Sequence, residues 1–428
     1  ARLVDRCLLT AGHDGHEMLQ TVRRYAGERL VEAGEADRLD EAHARFVVGW
    51  AESVAGRIGL DDDRGFVELS DAVSDLRTAH HWARRHDPDL AMRLSAALWI
   101  HTELRGDNEA RTWAEVAIRL PGTEGHPMRP AVLASAAMGA GARGDADEAA
   151  LLIGEAVRTA DLGHRSTPPV WWGLGMMLLL AGDFSGSLRA LHLSWRLARR
   201  HDDRWFELVA AAGMTAALSY LGHRRGSERW LRRCFATLTD LPGPTAHAVA
   251  ELAAGECRSA VNPDSALASI ERCRDLASRV GARLLVVFAA SWRATVRARL
   301  TTGREALRHY ADAVVHWAGI GDRLRLWIHV QAMIPLYCEV GEDEVAIALD
   351  AAVSTSPAIA SPMVDWATLR RTVAQSEVRL GDRATEIRMR WTGAPAEAVV
   401  DLVTGRTTVE RPATLAQTPT AATEQPPS

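Results

Sequence analysis

Along most of the chain the apolar positions recur at helical intervals and do not alternate as they would in strands. Trp171 to Leu180 and Leu188 to Arg199 are two such segments, and Gly182 separates them. The arrangement returns at a nearly fixed interval. A turn residue stands at Gly106-Asp107, Gly144-Asp145, Gly182-Asp183, Gly222-His223, Asn262-Pro263, Gly303-Arg304 and Gly341-Glu342, with spacings of 38, 38, 40, 40, 41 and 38. Two antiparallel helices joined by a tight turn need a residue tolerant of positive φ where the first ends and a polar cap where the second begins. Gly, Asn and Asp meet both needs, so each anchor predicts a helix–turn–helix hairpin. Five positions after the anchor, Ala149, Ser187, Ser227, Leu267 and Ala346 fall in the first turns of the second helix, where a small side chain lets the helices approach. The expectation is an all-α solenoid of stacked hairpins over residues 87–392.

The turn Gly144-Asp145-Ala146-Asp147-Glu148-Ala149 resembles the central G-D-x-x-E-A turn of tetratricopeptide (TPR) repeats, and it argues against HEAT-like repeats, which have a similar period. Trp171 and Trp292 fall where that family has its first-helix tryptophan, and Tyr337 where it has its tyrosine. The resemblance implies a TPR-like solenoid whose first helices line a concave groove, at positions thirteen, ten, six and three before each anchor. Counted so, Met138, Trp172 and Met176 line one half of the groove as an apolar, adaptable surface, and Glu256, Arg293, Arg297 and Gln331 line the other. Arg293 and Arg297 are four apart and share a helix face, where they would clamp a carboxylate or phosphate. Two arginines on a solvated face are the plainer alternative.

Residues before about 87 do not follow the rhythm. Leu3 to Leu9 reads as the end of a helix, Asp14-Gly15 supplies a hairpin turn, and Met18 to Ala33 is a long amphipathic helix. The stretch from Met18 to Leu30 resembles the segment joining a winged-helix subdomain to the TPR array in actinobacterial STAND-class regulators, the AfsR/SARP-like and LuxR-type proteins. Leu76 to Ala83 and Gly106 to Gly122 resemble the next segments of those proteins. The resemblance implies a winged-helix remnant at 1–20, a helical linker at 21–86 and the repeats at 87–392. It implies a module that receives a protein or small-molecule effector in the groove and signals to an NTPase. No helix-turn-helix pattern follows Gly381, and the chain opens at Ala1 already apolar-periodic, so the NTPase and the output domain are expected upstream. From Gly393 the composition turns to Pro, Thr, Ala and Gln, and 393–428 is expected to be a disordered tail.

Composition narrows the chemistry. All 50 basic residues are arginine, so the lysine that a P-loop, a Schiff base or pyridoxal chemistry requires is missing from this chain. The net charge of -5 gives no electrostatic reason to hold nucleic acid. Five scattered cysteines without a C-x-x-C motif point to reduced thiols, and no apolar run is long enough to span a bilayer, so a cytoplasmic protein is expected. His13 and His16 flank a turn without a third ligand, and His80-His81 are neighbours that point apart on a helix. Neither pair is a metal site. The 14 tryptophans are mostly core residues. With no catalytic set, no metal site and no cofactor, the expected function is binding, as a STAND-type sensor module or, alternatively, as a free-standing TPR scaffold.

Overall fold

A computed structural model describes residues 4, 8, 10–12, 15–60, 64–106, 108–354 and 365–410. Strands β1 (Thr10–Gly12) and β2 (Gly15–Glu17) pair antiparallel with Thr10 opposite Glu17, which places a hairpin where Asp14-Gly15 announced one. His13 and Asp14 themselves lie outside the described residues. The rest of the described chain is helical, and among the described residues no helix is long and apolar enough to cross a membrane.

Helix α1 (Gln20–Glu32) buries no residue fully, while α2 (Ala36–Ala55) and α4 (Val73–His86) pack together with the short α3 (Arg64–Asp71) at one end and α5 (Pro88–Ala97) across them. The hairpins then follow in order. They are α6 (Trp99–Arg105) with α7 (Asn108–Ala117), α8 (Arg129–Arg143) with α9 (Ala146–Thr159), and α10 (Pro168–Leu180) with α11 (Phe184–Arg200). Next come α12 (Arg204–Tyr220) with α13 (Arg224–Thr237), α14 (Pro244–Arg258) with α15 (Pro263–Val280), and α16 (Arg283–Leu300) with α17 (Gly303–Gly319). The last are α18 (Arg323–Glu339) with α19 (Asp343–Ser354), α20 (Trp366–Leu380) with α21 (Asp382–Trp391), and the single helix α22 (Ala396–Val403). Each first helix packs on its own partner, and α8, α10, α12 and α14 each pack on the next first helix, as α18 does on α20, so the array is a TPR-like helical-hairpin solenoid.

The turn chemistry is the predicted one. Gly106, Gly144, Gly182, Gly222 and Gly341 hold φ between +66° and +88°, and Asp145, Asp183 and Asn262 cap the following helices by accepting from the N–H of Glu148, Gly186 and Ser265. At two hairpins the counting slips. Helix α16 runs on to Leu300 and Thr302 is the N-cap of α17, so Gly303 is already inside the second helix, two positions beyond the turn. The small-residue slot shifts as well: Ala149, Ser187, Ser227 and Ala346 fill it, the buried Arg111 stands there after Gly106, and in the hairpins at Asn262 and Gly303 the fully buried residues are Ala266, one position before the half-buried Leu267, and Ala306, two positions before Arg308.

The solenoid closes on itself. Helix α6 packs against α16 and α8 against α18, so hairpins far apart in sequence meet. A side chain at Gly106 would touch Ile320, and one at Gly144 would touch Arg323. The N-terminal segment joins the closure, since the Gly243 N–H donates to the Gly59 carbonyl at 2.8 Å and Gly59 lies against the Trp205 ring.

The expected tail boundary at 393 is corrected. Residues 396–403 form α22, which packs on α17 and α19, with Ala398 and Val399 fully buried. Trp391 donates its indole N–H to the Val409 carbonyl at 2.9 Å. A run of Ala, Val and Leu at helical spacing was concealed by averaging over the Pro- and Thr-rich stretch around it. Residues 411–428 lie outside the described residues.

Candidate functional site

Closure turns part of the groove into a central cavity. Its walls come from the first helices α6, α8, α10, α12, α14 and α16, with Arg325 entering from α18. The cavity volume is about 160 Å³, a size at which an apolar cavity accepts a small aromatic molecule, and with its mouth the empty space reaches about 970 Å³.

Four of the seven predicted groove residues, Met138, Trp172, Met176 and Glu256, line it. The other three do not. Arg293 is half-buried and pairs with Glu271 of α15 at 3.7 Å, and Arg297 is exposed, so the proposed clamp does not face the cavity. The reason is the slipped anchor: two residues on an α-helix turn a side chain by roughly 200°. Counting from the true turn of that hairpin brings Phe288 into the wall instead. Gln331 is in register, but α18 closes the array against α8, and Gln331 is buried with its Oε1 unpartnered.

The missed lining residues were partly accessible to the same rule. Counting back from Gly106 gives Ile100 and Glu103, and from Gly222 gives Val209, Ala212 and Ala216, all of which line the cavity. Trp99, Trp205 and Phe206 also line the cavity; they sit near the starts of their first helices, outside the counted positions.

The wall is mostly aromatic, aliphatic and thioether. Trp99, Trp172 and Phe206 meet pairwise with ring centroids 5.8, 6.1 and 6.2 Å apart, tilted or edge-on. Three charged groups interrupt it. Glu103 lies 3.3 Å from the buried Arg111, with its Oε1 unpartnered. Arg325 pairs with the fully buried Asp322 and lies over the rings of Phe288 at 4.8 Å and Trp317 at 5.4 Å. Glu256 accepts a hydrogen bond from the Trp292 indole, and desolvation by its apolar surroundings pushes its carboxyl up to about 7. Trp292 in turn stacks on Tyr220 at 6.3 Å.

A serine–histidine pair lies one repeat apart, where spacing did not reveal it. Ser291 Oγ is 2.5 Å from His329 Nε2, and His329 Nδ1 lies 2.8 Å from the Arg325 carbonyl. Both side chains are buried, and burial holds the imidazole down to about 4. Its geometry is that of a tether between α16 and α18. His80 is similar, stacked on Trp113 at 4.7 Å and lowered to about 4 chiefly by desolvation. Among the described residues no three His, Cys, Asp or Glu side chains gather as a metal site, and Cys234, Cys257, Cys273 and Cys338 are free thiols. No family of known proteins matches the chain, and no curated protein does.

Proposed function

We propose that this chain is a ligand-receiving module that binds a small, largely apolar molecule in its central cavity and carries out no chemistry on it. One observation carries the reading: the cavity is built by six successive first helices at once. A molecule seated there would change the packing of the whole array and not of one hairpin. That is what a sensor requires, because a ligand shifts a conformational equilibrium only through contacts that differ between the two states. The wall offers large apolar area with few polar groups, the composition of a small-molecule site. The Ser291–His329 pair faces neighbouring helices and does not line the cavity, which favours binding over turnover.

The resemblance of segments between Met18 and Gly122 to STAND-class regulators supports reading the module as the receiver for an NTPase switch in a cytoplasmic transcriptional regulator, and the absence of lysine from this chain fits a module that does not itself hold the nucleotide. Two measurements test this. Nile red, a neutral apolar dye, should bind the chain saturably with a gain in fluorescence, and Trp172→Arg should abolish that gain without changing helicity. Absence of saturable binding to the wild type refutes the cavity as a ligand site. For the regulator assignment, the reading frame preceding Ala1 should encode a P-loop NTPase, and a frame without one leaves the free-standing scaffold.

A further inference from the structure

The charges of the cavity narrow the ligand to a class, an inference that rests on the cavity being a ligand site. Three carboxyl groups stand in or behind its wall. Two are matched by a guanidinium, Glu103 by Arg111 and Asp322 by Arg325. Glu256 is not. Its hydrogen bond comes from the neutral Trp292 indole, and no basic group among the described residues contributes to holding its charge. A carboxylate has about four acceptor sites, so one indole leaves most of that capacity for something else. Arg325, the one guanidinium among the described lining residues, already has the fully buried Asp322 carboxylate as its counter-charge and stacks on two rings.

Into the same space face Trp99, Trp172 and Phe206, mutually inclined by 53–72°. Rings set at such angles present π-faces to what they enclose, and the face of an indole attracts a cation. We propose that the cavity binds a hydrophobic amine or ammonium ion, its cationic head on Glu256 and its apolar body among Trp99, Trp172 and Phe206. An unpaired carboxylate in apolar surroundings is costly to ionise, and an arriving ammonium supplies the missing counter-charge. The burial that raises the Glu256 carboxyl is the same property that gives a cation its advantage over a neutral ligand of equal size.

The test uses three probes of matched shape in calorimetric titrations at pH 8: 2-phenylethylamine, 2-phenylethanol and 3-phenylpropionate. The amine should bind at least about tenfold more tightly than the alcohol, the effect of one charged hydrogen bond, and the acid should bind more weakly than both. In Glu256→Gln the amine should fall to within about threefold of the alcohol, whose own affinity stays nearly unchanged. Equal affinities of amine and alcohol for the wild type, or preference for the acid, overturn the cationic class and leave the cavity a ligand site. Failure of all three to bind, together with failure of Nile red, overturns the cavity reading itself. Should Glu256→Gln not fold by circular dichroism, the wild-type ranking decides the question alone.

Discussion

Glu256 contributes to stability with a sign opposite to that of a salt-bridged carboxylate. Its carboxyl is raised from an ordinary value near 4.5 to about 7. Below about pH 4.5 it is protonated whether the chain is folded or unfolded, and no cost arises. Between there and pH 7 the unfolded chain releases the proton that the folded chain keeps, so stability falls as pH rises, and above 7 the cost is constant. Glu256→Gln is therefore expected to match the wild type near pH 4 and to be more stable at pH 8 by on the order of 1–3 kcal/mol, read as the difference between two thermal melts. His80 and His329, both lowered to about 4 by burial, act in the other direction. They destabilise the fold as pH falls below about 6.5, and taking the difference between variant and wild type cancels their contribution. A difference between Glu256→Gln and the wild type that is no larger at pH 8 than at pH 4 would mean that water reaches the carboxyl freely.

At the scale of elements, close approach of helices is what the small residues provide. A methyl group added at Gly175 of α10 would lie 2.6 Å from Leu191 Cγ and 3.2 Å from its backbone nitrogen on α11. Replacing a helical glycine by alanine ordinarily gains about 1 kcal/mol, whereas overpacking costs about 1–3 kcal/mol. With backbone among the obstructing atoms the second effect wins, so Gly175→Ala should lower the melting temperature. The hairpin at Asn262 tests the register in the same way. Ala266→Leu should destabilise by about 1–3 kcal/mol, while Leu267→Ala, at a half-buried position, should cost less, as denaturant titration will show. These slots also mark the limit of what the sequence discloses. Glycine and aspartate announce a hairpin because they satisfy positive φ and cap backbone N–H groups locally, and that chemistry is visible without the fold. The length of the loop is not, since Thr301 and Thr302 close one hairpin and its glycine, Gly303, stands at the first position of the second helix. That offset is sufficient to carry Arg293 and Arg297 from a predicted groove to the side of α16 that meets Glu271. Met138, Trp172 and Met176 line the cavity because Gly144 and Gly182 sit at the turns that the count assumes, and Glu256 lines it although Asn262 is itself the N-cap of α15.

For the molecule as a whole, closure is the feature that no single repeat encodes. It is the accumulated result of small rotations between hairpins, so it leaves no local signature, although it closes the wall in which Trp99, outside the counted positions, takes part. An open array would unfold as a sum of local and nearest-neighbour steps. Contacts of α6 with α16 and of α8 with α18 couple distant steps and should narrow the transition. Ile320, buried beside Gly106, is a suitable probe of that coupling. Ile320→Asp should broaden thermal unfolding, enlarge the radius of gyration in solution scattering and weaken Nile red binding, with helicity nearly retained. An unchanged radius of gyration would place the strength of the closure elsewhere.

Closure also sets an order of events during synthesis. The hairpin that carries Trp99 leaves the ribosome long before α16 and α18 exist, so the early repeats fold with their aromatic faces open to water. Exposed apolar surface of that kind attracts chaperones and other nascent chains. The molecule acquires its closed cavity only when the last third of the polypeptide arrives, and a prematurely terminated chain would be helical, adhesive and open where the cavity should be.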